Sequence, residues 1–214
     1  MARWVFPPLE PDFDYVAAIR ALEEPIAAVL DCEVPELVEV IIGRVIIPDG
    51  TLIPTRNRAA HPELYSGKRH RSGATVQILS DAEGQLRHVG EPIAGSIHDV
   101  RAFRETGLAA VLTEHMNDNL VIADLGYRGE PVVTPVGKPP KGELSRAQMG
   151  ANKHLSGIRS AVERCIAHLK NWKILATGYR RPLRKLAICL AAVGALEFYR
   201  RNRAASEWRS RLLV

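Results

Sequence analysis

The sequence has no apolar run long enough to cross a membrane and few residues that could form disulfides. Its longest apolar run covers residues 186–196, whereas a membrane span needs roughly 18 or more residues. The N-terminus has no apolar core of the kind found in secretory signals. Its 3 cysteines lie far apart without a Cys-x-x-Cys pair, so neither a disulfide framework nor a cysteine zinc site is predicted. These absences predict a cytoplasmic protein without membrane contact.

The composition is that of a globular chain. Hydrophobic residues make up 46% and charged residues 25% of the 214 residues, which excludes disordered and collagen-like classes. The length suits one large domain with small additions. We divide the chain into an acidic, partly helical segment over residues 1–40, a main domain over residues 41–205 and a tail over residues 206–214.

Charge is distributed unevenly along the chain. Residues 1–48 hold 3 Lys/Arg and 9 Asp/Glu, a net charge of −6, and residues 49–151 are neutral. Residues 152–214 hold 14 Lys/Arg and 3 Asp/Glu, a net charge of +11. Such a basic region favours a polyanion partner, nucleic acid before membrane, although a solvated basic helix face is the alternative. If the partner is DNA, we expect the affinity to reside mainly in residues 152–214.

The order of predicted elements is that of a mixed α/β chain. Apolar and β-branched stretches predict strands over residues 38–47, 74–80, 85–93, 119–124 and 131–135. Helical spacing predicts helices over residues 14–30, 95–112, 145–172 and 182–202, the first broken at Pro25. Three strands in a meander, followed by alternating helices and strands, is the order of the ribonuclease-H-like fold.

Three acidic residues stand out by position. Asp49 ends the first predicted strand, Asp124 ends a later apolar strand, and Glu163 lies in the long helix. Each also has a purely structural explanation: Asp49 fits a turn, and Asp124 fits a helix cap. Glu163 fits an ion pair with Arg159. Because functional groups gather at the carboxyl ends of strands, the three together could hold hard divalent cations through oxygen ligands.

Four motifs carry a family resemblance. They are Asp49-Gly-Thr-Leu-Ile-Pro-Thr, Gly95-Ser-Ile-His-Asp, Ala123-Asp-Leu-Gly-Tyr-Arg-Gly and Val162-Glu-Arg-Cys-Ile-Ala-His-Leu-Lys-Asn-Trp. In this order they resemble DDE-type insertion-sequence transposases, in the bacterial group related to Harbinger elements, over about residues 40–200. The resemblance implies a ribonuclease-H-like mixed sheet flanked by helices. It also implies that Asp49, Asp124 and Glu163 are catalytic and bind two Mg²⁺ (or Mn²⁺) ions.

The long helix matches a further signature of the broader family. Arg159, Glu163 and Lys170 occupy their expected positions, whereas Ser156 stands where the family has tyrosine. At 100° per residue the three matching residues lie within about 60° on one helix face. We expect DNA contacts from a set of cations, namely Arg159, Lys170, Arg164, Lys68 and Arg69. Asp99 in the second motif also fits as the N-cap of the helix that follows it, which is the interpretation we favour.

The expected function is a DNA transposase catalytic domain that cuts at transposon ends and transfers the freed strand into target DNA. The expected partner is double-stranded DNA, a homodimer on that DNA is compatible with this function, and the expected location is the bacterial cytoplasm at the nucleoid. The acidic residues before Asp49 lack the helix-turn-helix region that relatives carry, which suggests a truncated copy or the second frame of a split protein. Two alternatives stay open: a ribonuclease-H-like endonuclease without transposition, and an inactive remnant that only binds DNA.

Overall fold

The computed structural model describes residues 36–56 and 60–212, so the predicted N-terminal helix over residues 14–30 lies outside the described residues. The first described element is helix α1, Leu37–Ile41. The predicted strand over residues 38–47 is therefore wrong in its first half. Gly43, in the left-handed region with φ of 69°, separates α1 from strand β1, Val45–Pro54. The apolar side chains that suggested a strand, Val40 and Ile41, are buried by the helix instead.

Strand β1 continues through the segment that was predicted to end it. Asp49 is the fifth of its ten residues and not its last. Pro48 has no N–H to donate, and the pairing of β1 with its parallel neighbour stops before it, at Ile46. On the other side, antiparallel pairing runs without a break from Ile46 to Pro54. Hydrogen bonding to β3 along one edge is therefore enough to keep the chain in strand conformation through Pro48 and Gly50.

The strands form one mixed sheet. The remaining strands are β2, Tyr65–Ser66; β3, Arg71–Asp81; β4, Leu86–Val89; β5, Ile93–Ala94; and β6, Leu120–Val121. Their order is β2-β3-β1-β6, and β4 and β5 also pair with β3. Strand β1 is antiparallel to β3 and parallel to β6, and the predicted hairpin between β3 and β4 is confirmed. Over the predicted strand 131–135 the described pairing is a single bridge between Ile122 and Val133.

Five further α-helices lie within residues 60–212 of the described chain. They are α2, Asp99–Glu105; α3, Leu108–Glu114; α4, Arg146–Lys170; α5, Lys173–Ala176; and α6, Leu186–Leu212. The predicted helix over residues 95–112 is two helices, because Gly107 adopts a φ of 78° between them. Ser145 and Gln148 form a reciprocal capping box that fixes the start of α4. Among the described residues, no helix combines the length and the apolarity that crossing a bilayer requires.

Helices cover both faces of the sheet because successive side chains of a strand alternate between faces. Ile47 and Ile78 pack with residues of α4 and α6, such as Val162. Their sequence neighbours point to the opposite face and pack with α2 and α3, as Leu79 does beside Phe103. A six-stranded mixed sheet with helices on both faces confirms the predicted ribonuclease-H-like architecture.

Gly95 gives a test of how closely the loop before α2 packs against the sheet. A Cβ at this position would overlap the backbone carbonyl oxygens of Gly73 and Leu64, which cannot move independently of the sheet. We expect Gly95→Ala to lower the free energy of unfolding by about 1–3 kcal/mol, the usual cost of overpacking. Gly67→Ala is the matched control, since its Cβ would meet nothing within 4 Å. The measurement is urea unfolding of both variants. Equal stability of the two would contradict this packing.

Candidate active site

Asp49 lies in the middle of the sheet, on the face covered by α4. It follows Ile47 by two residues and therefore points to the same side of β1. The backbone N–H of Gly50 donates to its Oδ1 at 2.8 Å. Burial, and then the negative charge of Asp99, raise the pKa of Asp49 from 3.8 to about 6. The opposing effects of the Gly50 N–H and of Arg159 and Lys68 are smaller, so this carboxylate carries an unbalanced charge near neutral pH.

Asp124 follows β6, the parallel neighbour of β1. The two strands pair Val45 with Leu120 and Ile46 with Val121. Counting three residues on from the last pair, Ile46 and Val121, reaches Asp49 on one chain segment and Asp124 on the other, so the two acids are level. Asp124 also caps a 3₁₀ turn, because its Oδ1 accepts a hydrogen bond from the N–H of Leu125 at 2.6 Å. Its capping role and its position beside Asp49 are compatible.

A third carboxylate, that of Asp99, lies in the same region. Burial raises the pKa of the Tyr127 hydroxyl, and the charges of Asp49, Asp99 and Asp124 each raise it further. That hydroxyl donates to Oε1 of Gln77 at 3.0 Å in the buried interior. Three carboxylates therefore act on one buried phenol, and we call Asp49, Asp99 and Asp124 the acid cluster.

The interpretation of Asp99 as an N-cap is wrong. His98 holds the N-cap position without a side-chain cap, and Asp99 is the first residue of α2. Its carboxylate instead binds the Lys68 ammonium at 2.9 Å. A Cβ at position 50 would overlap this carboxylate, so any side chain there would have to displace Asp99. The motif that ends in Asp99 was the sequence signal for this role.

Two cations of α4 act on the acid cluster. Nη1 of Arg159 lies 3.5 Å from Oδ1 of Asp124, and the same guanidinium lowers the pKa of Asp49. Burial lowers the pKa of Lys170, and the neighbouring charges of Arg69 and Arg71 lower it further. The charge of Asp49 acts on Lys170 in the opposite direction. Both ends of the segment 159–170 therefore face the sheet at Asp49.

Glu163 lies on the same face of α4, within about 40° of Arg159 and about 20° of Lys170 around the helix axis. It is exposed and is the one acidic residue in the 25 residues of α4. Arg159 forms its ion pair with Asp124 and not with Glu163. Arg164 points about 100° away from Glu163 around the helix axis. Its guanidinium donates a hydrogen bond to Oγ of Ser160 at 2.8 Å. The structure brings Arg159 and Lys170 to the acid cluster but not Arg164.

A basic rim lies beside the acid cluster and combines two parts of the sequence. Lys68, Arg69 and Arg71 come from the turn between β2 and β3 and from the start of β3, and Lys170 comes from the end of α4. Lys68 forms an ion pair with Asp99 of the cluster. Lys170 lies close enough to the turn that the positive charges of Arg69 and Arg71 lower its pKa. The neutral middle of the sequence thus contributes a cationic surface that its net charge conceals.

The oxygen donors of the cluster suit hard divalent cations such as Mg²⁺ or Mn²⁺. Within the described part of the chain, no three acidic, histidine or cysteine side chains converge on one point in metal-binding geometry. The carboxylates of Asp124 and Asp99 are held by Arg159 and Lys68 respectively. A cation would neutralise the unbalanced charge of Asp49, and carboxylate oxygens are the donors that such a cation prefers.

Residues 48–196 match the family described as DDE superfamily endonuclease, and the chain belongs to that family. A protein of Streptomyces albus G, assigned as a transposase for insertion sequence element IS112, is 35% identical over 139 residues. That match covers 61% of this chain and 49% of the relative, so the chain spans about half of the relative's length. No solved structure matches the chain. DDE superfamily endonucleases depend on metal ions.

The raised pKa of Asp49 has a measurable consequence for stability. A carboxylate whose pKa rises on folding destabilises the folded state above about pH 6 and has no such effect below about pH 4. In metal-free buffer we therefore expect Asp49→Asn to be more stable than the parent at pH 7.5, by on the order of 2 kcal/mol. The gain should vanish as the pH falls below about 4.

Denaturant unfolding across that pH range is the measurement. Asp118→Asn is the control for loss of one surface charge, because the Asp118 side chain is 58% exposed. A gain for Asp49→Asn that did not change with pH would contradict a partly buried, charged state of this carboxylate.

Proposed function

We propose that this chain is the catalytic domain of a DNA transposase, which cleaves phosphodiester bonds at transposon ends and joins the freed ends to target DNA. The observation that carries the proposal is the register of β1 and β6, which brings Asp49 and Asp124 level when it is extended beyond its last pair, Ile46 and Val121. Glu163, the single acid of α4, lies on the helix face that bears Arg159 and Lys170. Membership of the DDE superfamily endonucleases supports cleavage, and the similarity to the IS112 protein supports transposition.

In this proposal Asp49, Asp124 and Glu163 hold two Mg²⁺ or Mn²⁺ ions. Asp49, the most buried of the three, and the more exposed Asp124 and Glu163 would supply the carboxylate oxygens that hold these ions. When bound, such ions stabilise the charge on the attacking and leaving oxygens of an in-line displacement. Asp99 supports the site from beneath Gly50, where its carboxylate fixes Lys68.

Arg159 and Lys170 position the phosphate in this proposal. Nε of Arg159 is buried and has no hydrogen-bond partner among the described residues. Such a donor costs free energy until it is paired, and a phosphate oxygen would pair it. Guanidinium groups suit phosphate because they offer several donors in one plane. Lys170 adds a point charge about three helical turns further along the same face.

The chemistry needs no covalent protein intermediate. The oxygen of a water molecule attacks phosphorus, the bond from phosphorus to the 3′ oxygen breaks, and that oxygen accepts a proton to become a free 3′-hydroxyl. In strand transfer this hydroxyl attacks a phosphorus of the target, loses its proton and displaces a 3′ oxygen there. The side chains contribute by positioning the groups and stabilising charge, as in other phosphoryl transfers.

The role of Glu163 can be tested with a substitution that keeps size and removes charge. We expect Glu163→Gln to reduce metal-dependent cleavage at least a hundredfold, on the scale of losing one electrostatic group at a phosphoryl-transfer site. Binding to the same DNA should persist, since one negative charge near the phosphates is removed. The measurements are cleavage and gel shift on duplexes that carry the inverted repeats flanking the gene, with Mg²⁺ or Mn²⁺.

Glu143→Gln is the matched control, because Glu143 precedes α4 and its side chain is 90% exposed. Unchanged cleavage by Glu163→Gln would refute the proposed triad. Cleavage without strand-transfer product would favour an endonuclease over a transposase. Good binding without cleavage by the parent chain, even with the upstream region of the relative supplied, would favour a remnant that only binds DNA.

The basic rim predicts a steep salt dependence of DNA binding. Each neutralised phosphate releases counterions, so the logarithm of the affinity falls linearly with the logarithm of salt concentration. We expect Lys170→Gln to weaken binding and to reduce that slope by about 1. Lys138→Gln should leave the slope unchanged, because Lys138 is 68% exposed and lies outside the rim. Fluorescence anisotropy titrations at several salt concentrations measure both, and an equal slope for both variants would contradict the rim.

A further inference from the structure

A cavity opens on the face of the sheet opposite the side chain of Asp49. It has a volume of about 320 Å³ and its floor is formed by Gly50, Leu52 and Thr75. The loop 95–99 forms one wall and the segment 65–69 forms the other. Gly50 is the chain neighbour of Asp49, and Asp99 of the acid cluster lies in the wall. The cavity therefore begins one residue from the proposed reaction centre.

The walls of this cavity are fixed by the packing of the fold. Gly95 contacts the carbonyl oxygens of Gly73 and Leu64 so closely that a side chain would not fit. The N–H of Ser96 donates to the carbonyl oxygen of Glu63 at 3.1 Å, which ties one wall to the residues just before the other. A cavity that is held open by backbone contacts is largely preformed, and its volume lies at the lower end of the roughly 300–1,000 Å³ typical of small-molecule sites.

The side chains that line the cavity fit a nucleobase. Tyr65 lines the cavity and is 50% exposed, so part of its ring is accessible for stacking. Lys68 at the rim offers a cation for the adjoining phosphate, and its charge reaches Asp49. Asp99 and His98 add polar groups that can bond the edge of a base. Aromatic stacking beside a cationic backbone contact is the usual means of holding single-stranded nucleic acid.

We propose that this cavity binds one unpaired nucleobase of the DNA, stacked on Tyr65, next to the phosphate that reacts at Asp49. The inference rests on the proposed function, because it takes DNA to be the ligand. The base would lie on the face of β1 opposite the carboxylate of Asp49. Extruding one base into this site would hold the strand in register with the acid cluster.

The test uses three short duplexes of otherwise identical sequence: one fully paired, one with a single unpaired adenine, and one with an abasic tetrahydrofuran residue in place of that adenine. Affinities are measured by anisotropy with the full chain in metal-free buffer, so no cleavage is required. We expect the unpaired adenine to bind roughly fivefold to a hundredfold more tightly than the abasic residue, the range for stacking of one base.

Tyr65→Ala should abolish this preference, and Tyr65→Phe should keep it because the ring remains. Met149→Ala, at a side chain 51% exposed outside the cavity, should behave as the parent chain. Lys68→Ala should weaken all three duplexes alike. Equal affinity for the adenine and abasic duplexes, or a preference that survives in a folded Tyr65→Ala protein, would overturn the base site while leaving the proposed transposase function intact. Absence of binding to all three duplexes would overturn both.

Discussion

The partly buried carboxylate of Asp49, in the middle of strand β1, is the constraint on which the site depends. Burial makes its charge unfavourable, and the nearby charge of Asp99 adds to the cost. The surroundings offset only part of it, through the N–H of Gly50 and the cations Arg159 and Lys68. A site that stays electrostatically unbalanced has affinity for added positive charge, and this is the physical basis for expecting divalent ions there. Stability lost at such a position is a common cost of function.

Because successive side chains of β1 point to opposite faces of the sheet, the two faces carry different functional residues. The side chain of Asp49 points to the face of α4, where Arg159 and Lys170 act on it. The next residue, Gly50, has no side chain, and the carboxylate of Asp99 approaches from the other face. Glycine at this position therefore serves packing and electrostatics together. The same absence of a side chain leaves the floor of the cavity open beside Asp49.

Much of the fold could be predicted because its signals are local. The hairpin after β3 follows from its turn residues, and helix α4 follows from its helical spacing. The predictions failed where tertiary pairing overrode local preference. Strand β1 passes through Pro48 and Gly50 because its antiparallel partner holds it. The β-branched segment before it became a short helix because that conformation buries Val40 and Ile41.

The sequence by itself determined the chemistry that is available: three acids, a basic C-terminal third and motifs that resemble one family. It also assigned Arg159 and Lys170 to one helix face, since helical spacing is a local property. Only the tertiary structure decided that Asp99 lies near these acids and that Arg159 pairs with Asp124. It also decided that the turn between β2 and β3 brings Lys68 to Asp99. These are contacts between residues distant in sequence, and they depend on strand register and packing, which no local pattern encodes.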